Sequence, residues 1–216
     1  MYGAMSDRLN EALVAFSSVY SGWILWNLFL AFIPLALSYW LFRRKKPTRT
    51  FAWWFCFALF VAFLPNAPYM LTDIIHLVRG ADRASIWLVT LFVLPVHLLA
   101  ILGGLMAYVL SLLNLDIYLK RQGLERLIPV AELGMHLLCA VGIYLGRFRR
   151  LNSWDIAVNP GDVVLTTLDD LTSKRPVLVM FITFIVLTVF YWVFKQITLG
   201  LMLRIRYARM GRDILE

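Results

Sequence analysis

The main pattern in the sequence is a series of five long apolar runs, separated by shorter stretches that hold most of the charged residues. An α-helix needs about 20 mostly apolar residues to cross a bilayer, because each residue advances the helix by about 1.5 Å. Each run is compatible with one crossing when some tilt is allowed. The pattern predicts five transmembrane helices, over residues of about 20–42, 50–64, 85–113, 127–146 and 177–203.

The composition supports the same architecture. The chain is 61% hydrophobic with a mean hydropathy of +0.75, whereas a soluble domain is about 45–50% apolar. We therefore expect an all-α integral membrane helical bundle, with residues 1–216 forming a single multi-pass domain in the plasma membrane. The formal net charge of +8 comes from basic residues at the ends of apolar runs, which is a membrane signal, so we expect no nucleic-acid partner.

The distribution of Lys and Arg between the loops predicts the orientation. Twelve lie on one side of the predicted spans and eight on the other, with Lys195 inside the last span. Because cytoplasmic loops are enriched in Lys and Arg, this bias predicts an outside N-terminus and a cytoplasmic C-terminus. Two polar segments, about 65–84 and 147–176, then lie at the outer surface.

The first polar segment, FLPNAPYMLTDIIHL, contains two prolines that interrupt the second span. Proline cannot continue a helix, and it disfavours helical geometry in the residue before it. Tyr69, Asp73 and His76 follow at positions i, i+4 and i+7, on one face of a resumed helix. The stripe is either part of a polar ligand site, or a helix cap that faces interfacial water and lipid head groups.

The second polar segment, GRFRRLNSWDI, follows the fourth span directly. Arg147, Arg149 and Arg150 could hold a lipid phosphate, since arginine binds phosphate and carboxylate through two parallel hydrogen bonds. In the alternative interpretation, one or more arginines of this segment pair with Asp73 or Asp155 and fix the loop. Because both polar segments are predicted on one side of the membrane, we expect Tyr69, Asp73, His76, Arg147, Arg150 and Asp155 to form one composite site.

Between this segment and the last span, the sequence predicts a short amphipathic helix that rests on the membrane surface. Val164, Leu165, Leu168 and Leu171 recur at helical spacing, with Asp162 as the capping residue. In this pattern Asp169 and Asp170 face away from the apolar stripe.

Three ionisable residues are predicted near the bilayer midplane: His97 in the third span, and Glu132 and His136 one turn apart in the fourth. Such groups are candidates for a metal site, a bis-histidine haem site or a proton path. A hydrogen-bonded structural cluster is the favoured interpretation, so no metal and no cofactor are assigned. Lys195 is expected to extend its ammonium group towards an interface. The chain contains no Walker loop, zincin motif or nucleophile elbow, which counts against familiar enzyme chemistry.

The segments WNLFLAFIPLALS, FLPNAPYMLTDIIHL and GRFRRLNSWDI, together with their spacing, resemble the bacterial membrane-protein family catalogued as domain of unknown function 1361. The resemblance implies a multi-pass bacterial membrane protein. It implies no catalytic residues.

The sequence is compatible with three functions. The first is binding of an anionic, lipid-like ligand at the outer interface by the composite site. The second is a non-enzymatic scaffold or assembly subunit in a larger membrane complex or homo-oligomer. The third is a small transporter or proton path that uses His97, Glu132 and His136. Membrane lipids are the expected partners in every case.

Overall fold

A computed structural model describes residues 23–44, 49–73 and 86–210 of the chain. Nearly all residues in these ranges are helical, and they contain no strand. Short 3-10 or π turns extend or join the α-helices at Met70–Asp73, Val89–Val93, Glu125–Leu127 and Leu145–Arg149. The α-helices are α1 (Trp23–Phe42), α2 (Phe51–Phe63), α3 (Asn66–Tyr69), α4 (Ile86–Leu88), α5 (Leu94–Arg121), α6 (Ile128–Tyr144), α7 (Asp155–Val158), α8 (Pro160–Thr172) and α9 (Lys174–Arg209).

Five helical stretches of the described residues are long and apolar enough to cross a membrane. Large apolar side chains are exposed along them, including Phe51 at 87% and Trp192 at 63%. Side chains of this kind are stable in lipid and unfavourable in water. The predicted all-α architecture with five spans is therefore confirmed. The stretches are Ile24–Phe42, Phe51–Thr72, Val89–Arg121, Glu125–Arg149 and Lys174–Arg209.

Two of the helices are longer than the apolar runs that predicted them. The third span continues to Arg121, and α9 has 36 residues. At about 1.5 Å per residue α9 is roughly 54 Å long, which exceeds the apolar thickness of a bilayer of about 30 Å. The sequence pattern placed the ends of these two spans at residues 113 and 203, where the apolar runs end. Lys and Arg are good helix formers, so the backbone stays helical beyond the apolar run.

The contacts within the chain divide it into two units, which are described separately. The first unit comprises residues 1–37 and 49–108, and the second comprises 38–48 and 109–216. The prediction of a single membrane domain is not decided by this division and stays a prediction.

In the first unit, the two prolines bend the chain without making it extended. Leu64, which precedes Pro65, has helical torsion angles (φ −54°, ψ −39°), so the expected extended geometry at this residue is wrong. Pro65 caps α3 and Pro68 lies in its first turn, where the backbone N–H has no helical partner to lose. Both Ala67 and Pro68 are buried.

The bent segment packs closely on α5 through Gly104. A Cβ atom on Gly104 would lie 2.6 Å from the Ala67 carbonyl oxygen and 2.7 Å from Met70 Cγ. Both distances are shorter than any normal contact, so only glycine fits without displacement of α3.

In the second unit, α9 packs along α6, and Tyr144, Leu145 and Met180 form a small buried cluster where the two helices meet the π turn. At the other end of the unit, Arg43 donates from Nε to Asn114 Oδ1 over 2.7 Å. Asn114 in turn donates to Ser38 Oγ over 2.9 Å. Arg43 therefore connects the end of α1 to α5 through buried polar groups, in addition to any role as a basic membrane anchor.

Candidate functional site

The candidate site begins where α6 ends in a π turn. Residues Leu145–Arg149 form this turn, and Arg150 closes it with a left-handed backbone conformation (φ 59°). The N–H of Leu151 then donates to the Leu145 carbonyl over 3.2 Å. Left-handed residues commonly end helices because they let the last carbonyls find partners. Arg149 is the last residue of this turn, and its side chain contacts Asp170 of α8.

Arg149 and Asp170 form the strongest polar contact of the site. The guanidinium group donates from Nε to Oδ2 over 2.9 Å and from Nη2 to Oδ1 over 2.5 Å. The Asp170 side chain is 1% exposed, whereas that of Arg149 is 43% exposed. Asp169 lies at the margin, 3.8 Å from Arg149 Nη2. A bidentate pair of this geometry fixes α8 on the end of α6.

The orientation of α8 differs from that of an amphipathic helix in a soluble protein. Its apolar residues Val164, Leu165 and Leu168 are 56%, 67% and 55% exposed, while Asp170 is buried. Asp170 thus faces away from the apolar stripe, as its spacing indicates, and it lies against the protein. Asp162 lies in the first turn of the helix, and the capping position belongs to Asn159, so the predicted cap is wrong. An exposed apolar stripe of this kind suits the acyl boundary of a membrane.

A cavity of about 500 Å³ lies beside the Arg149–Asp170 pair, and we call it the interfacial cavity. Tyr144 and Phe148 form an aromatic wall, with their rings stacked at 4.9 Å. Lys174 and Arg175 border it at the start of α9, and in the described part of the chain neither makes an ion pair. Its lining residues are Tyr144, Phe148, Arg149, Asp170, Ser173, Lys174, Arg175 and Pro176.

A family model described as "Protein of unknown function (DUF1361)" matches residues 26–189. The chain belongs to this family. The resemblance seen in the three sequence segments is therefore confirmed, and the match includes the whole interfacial cavity. No curated protein and no solved structure matches the chain.

Three of the predicted site residues of this DUF1361 member are near Arg149 in the sequence. None of the three lines the interfacial cavity. Arg147 belongs to the π turn, and Arg150 is exposed at its end. Asp155 accepts a hydrogen bond from the N–H of Asn152 over 2.6 Å, which closes the turn before α7. Of the three arginines in this segment, Arg149 lines the cavity. The sequence pattern gave no reason to prefer it to Arg147 or Arg150.

The other three predicted residues belong to the first unit. Tyr69 is half-buried at the end of α3, and its carbonyl accepts from Thr72 Oγ1 over 2.7 Å. From Met70 to Asp73 the backbone is a 3-10 turn, so the four-residue repeat assumed for the stripe does not apply there. The side chain of Asp73 and all of His76 lie outside the described residues. The convergence of this segment with the arginine segment stays a prediction.

A second polar group, which we call the buried charge cluster, consists of Asp116, Glu132, Tyr191 and Lys195. The Lys195 ammonium donates to Asp116 Oδ2 over 2.7 Å and also to Glu132 Oε1. The Tyr191 hydroxyl donates to Glu132 as well. These three contacts join α5, α6 and α9. Lys195 therefore lies in an ion pair inside the unit, and the expectation that it extends to an interface is wrong.

Two of the three predicted midplane residues contact Tyr191. Glu132 belongs to the buried charge cluster, and the His136 ring lies 4.7 Å from the Tyr191 ring. His97 belongs to the first unit and bonds through Nδ1 to the Val93 carbonyl of its own helix over 2.9 Å. Among the described residues, no group of three His, Cys, Asp or Glu side chains is arranged to hold a metal ion.

Sequence reasoning missed Asp116 because the predicted third span ended at residue 113. The signal was present: a carboxylate and a lysine within apolar helices need partners, since an unpaired charge there is costly. Asp170 was missed for a different reason: an aspartate on an amphipathic helix usually faces water, so no partner was expected for it.

Proposed function

We propose that this protein binds an anionic, lipid-like amphiphile in the interfacial cavity. The observation that carries the proposal is the combination of two features at one place. Lys174 and Arg175 supply positive charge at the rim of the cavity, and α8 next to it exposes an apolar stripe. A molecule with a phosphate or carboxylate head and a hydrocarbon tail matches both features.

The electrostatic argument for this proposal depends on which basic side chains at the cavity are already paired with a carboxylate. Asp170 occupies the guanidinium group of Arg149, so that arginine acts mainly on the local structure. Lys174 and Arg175 make no ion pair in the described part of the chain, so both are available to a ligand. They lie in the first turn of α9, which contains no acidic residue and has no side-chain cap. The partial positive charge of a helix N-terminus adds to theirs and favours an anion.

The apolar part rests on α8. Val164, Leu165 and Leu168 would be unfavourable in water, and their exposure fits a helix lying at the acyl boundary. The tail of a bound amphiphile would then lie in the membrane beside α8 while its head enters the cavity. From the distribution of Lys and Arg, we place this site in the outer leaflet of the bacterial plasma membrane.

Native mass spectrometry of the detergent-purified protein tests the proposal. The probes are phosphatidylglycerol, which is anionic, and phosphatidylcholine, which carries no net charge. We expect preferential binding of phosphatidylglycerol, and loss of the preference in the double variant Lys174→Gln/Arg175→Gln. The matched control is Arg204→Gln/Arg206→Gln, which removes two exposed arginines from the other end of the same helix.

Equal binding of the two lipids contradicts the proposal, as does a preference that survives the Lys174/Arg175 variant. In that case the scaffold alternative becomes the better explanation, since the exposed apolar surfaces would then serve protein contacts. Co-purification of a defined membrane partner would test that alternative.

A further inference from the structure

The second unit contains another cavity, on the face of α9 that follows Lys195 towards its C-terminal end. It has a volume of about 390 Å³, and we call it the α5–α9 cavity. Lys195, Leu199 and Met202 border it on α9, at spacings that place them on one helix face. Lys195 and Met202 are about 10 Å apart along the helix axis, at about 1.5 Å per residue. The cavity therefore extends from the buried charge cluster towards the ends of the helices.

The polar groups along this cavity are concentrated at its two ends. Asp116 and Lys195 of the buried charge cluster border one end. Arg43, Lys120 and Glu125 border the other, at the end of α1 and around the loop between α5 and α6. A cavity of this size with polar groups at both ends has room for several water molecules.

The charges of the buried cluster do not balance when every group is ionised. One ammonium group, that of Lys195, contacts two carboxyl groups, which leaves one excess negative charge. Side-chain exposures are 7% for Asp116, 17% for Glu132 and 18% for Lys195, so water screens this charge poorly. An uncompensated charge in such surroundings is costly, and proteins commonly neutralise it by binding a proton.

The cluster also contains a carboxylate oxygen without a hydrogen-bond partner among the described residues. Asp116 Oδ2 accepts from Lys195, whereas Oδ1 is buried with no partner among the described residues. The Asp116 and Glu132 carboxyl groups both contact the ammonium nitrogen of Lys195, so the two groups lie beside each other. Two carboxylates cannot donate to one another, but a single proton between them turns repulsion into a hydrogen bond.

We propose that Asp116 and Glu132 share one exchangeable proton beside Lys195, and that this proton reaches the pair through water in the α5–α9 cavity. The site is distinct from the interfacial cavity and does not depend on lipid binding. The titratable and charged groups that face the pair from the surrounding elements are Lys195 and Tyr191 on α9, His136 on α6, and Lys120, Arg43 and Glu125 at the far end of the cavity.

Infrared spectroscopy at neutral pH, in a detergent without carbonyl groups, tests this proposal. Exposed carboxyl groups are ionised at this pH, so a protonated-carboxyl C=O band reports a buried proton. We expect the folded wild-type protein to show such a band. We expect it to shift in deuterated buffer, because cavity water exchanges the proton, and to be lost at high pH. Isotope labelling of the aspartate and glutamate carboxyl groups assigns the band without any substitution.

The variants Asp116→Asn and Glu132→Gln should each abolish the band, because the remaining carboxylate is then neutralised by Lys195 alone. Asp162→Asn, at an exposed position on α8, should leave it unchanged. Size-exclusion chromatography verifies that each variant is folded. A wild-type protein without the band overturns the proposal. A band that persists in either folded variant overturns the sharing, and a band that does not shift in deuterated buffer overturns access through water.

Discussion

The ammonium group of Lys195 lies 2.7 Å from the Asp116 carboxylate, and this contact joins α5 to α9 across 79 positions of sequence. Lys195 also donates to Glu132 on α6, so a single side chain connects three helices of the second unit. The side chains of Lys195 and Asp116 are only 18% and 7% exposed, so the loss of one partner leaves the other charges poorly compensated.

Replacement of Lys195 by Met is therefore expected to lower the free energy of unfolding by about 3–5 kcal/mol. Unfolding in mixed detergent micelles, followed by circular dichroism, measures the change. The control Lys120→Met removes an exposed ammonium group at the far end of the same cavity and should change stability by less than about 0.5 kcal/mol. The triple variant Lys195→Met/Asp116→Asn/Glu132→Gln should recover part of the loss, and equal losses in the two single variants would refute the interpretation.

Gly104 and its neighbour Gly103 provide a matched pair for the packing of α3 on α5. Gly104→Ala places a methyl group 2.6 Å from a backbone oxygen, so we expect a loss of about 1–3 kcal/mol in unfolding free energy. Gly103→Ala meets only Leu28 Cδ1 at 3.5 Å, an ordinary contact. Because alanine favours helix over glycine by up to about 1 kcal/mol, this variant should be neutral or stabilising. Comparable losses in both variants would show that the close approach is absent.

The Arg149–Asp170 pair should hold α8 in place. Asp170→Ala removes a buried bidentate partner and should lower the midpoint of thermal unfolding. It should also increase proteolysis in residues 150–173, because α8 loses its fixed contact with the π turn. Asp169→Ala is the control: its side chain is 77% exposed and 3.8 Å from Arg149, so its midpoint should remain close to that of the wild type. Equal behaviour of the two variants would count against a structural role for the pair.

The exposed stripe of α8 should contact lipid. In a background with Cys56 and Cys139 replaced by alanine, an environment-sensitive fluorophore at position 165 should emit at shorter wavelength in liposomes than the same probe at position 162. Leu165 is 67% exposed on the apolar stripe, and Asp162 is exposed at the start of the helix. Quenching by lipids labelled in the acyl chain should follow the same order. The same emission at both positions would place the stripe in water or against protein.

The orientation predicted from the basic residues is open to a simple labelling test. We expect a membrane-impermeant thiol reagent to label a cysteine at position 162 in intact cells, and one at position 120 only after permeabilisation. The reason is that the α5–α6 loop belongs to the side with more Lys and Arg. The reverse labelling pattern would invert the predicted topology and move the interfacial cavity to the cytoplasmic side.

The sequence by itself determined the architecture, the five apolar helices and the family. A run of about 20 mostly apolar residues is stable as a membrane-spanning helix and in few other structures. Such a run can be recognised from neighbouring residues alone. Helix α8 was predicted for the same reason, because the helical spacing of its apolar residues is visible within a short stretch of sequence. The sequence also placed a functional candidate in the arginine-rich segment after the fourth span.

Only the tertiary structure decided which polar residues meet. Lys195 and Asp116 are far apart in sequence, and their pairing depends on how α5, α6 and α9 pack, which no local pattern encodes. The choice of Arg149 over Arg147 and Arg150 depends on a π turn and one left-handed residue, which shift the direction of each side chain. Asp170 became a buried partner because α8 presents its apolar side outward and its Asp170 side to Arg149. A polar face can then be turned towards the protein, the reverse of the rule that holds in water.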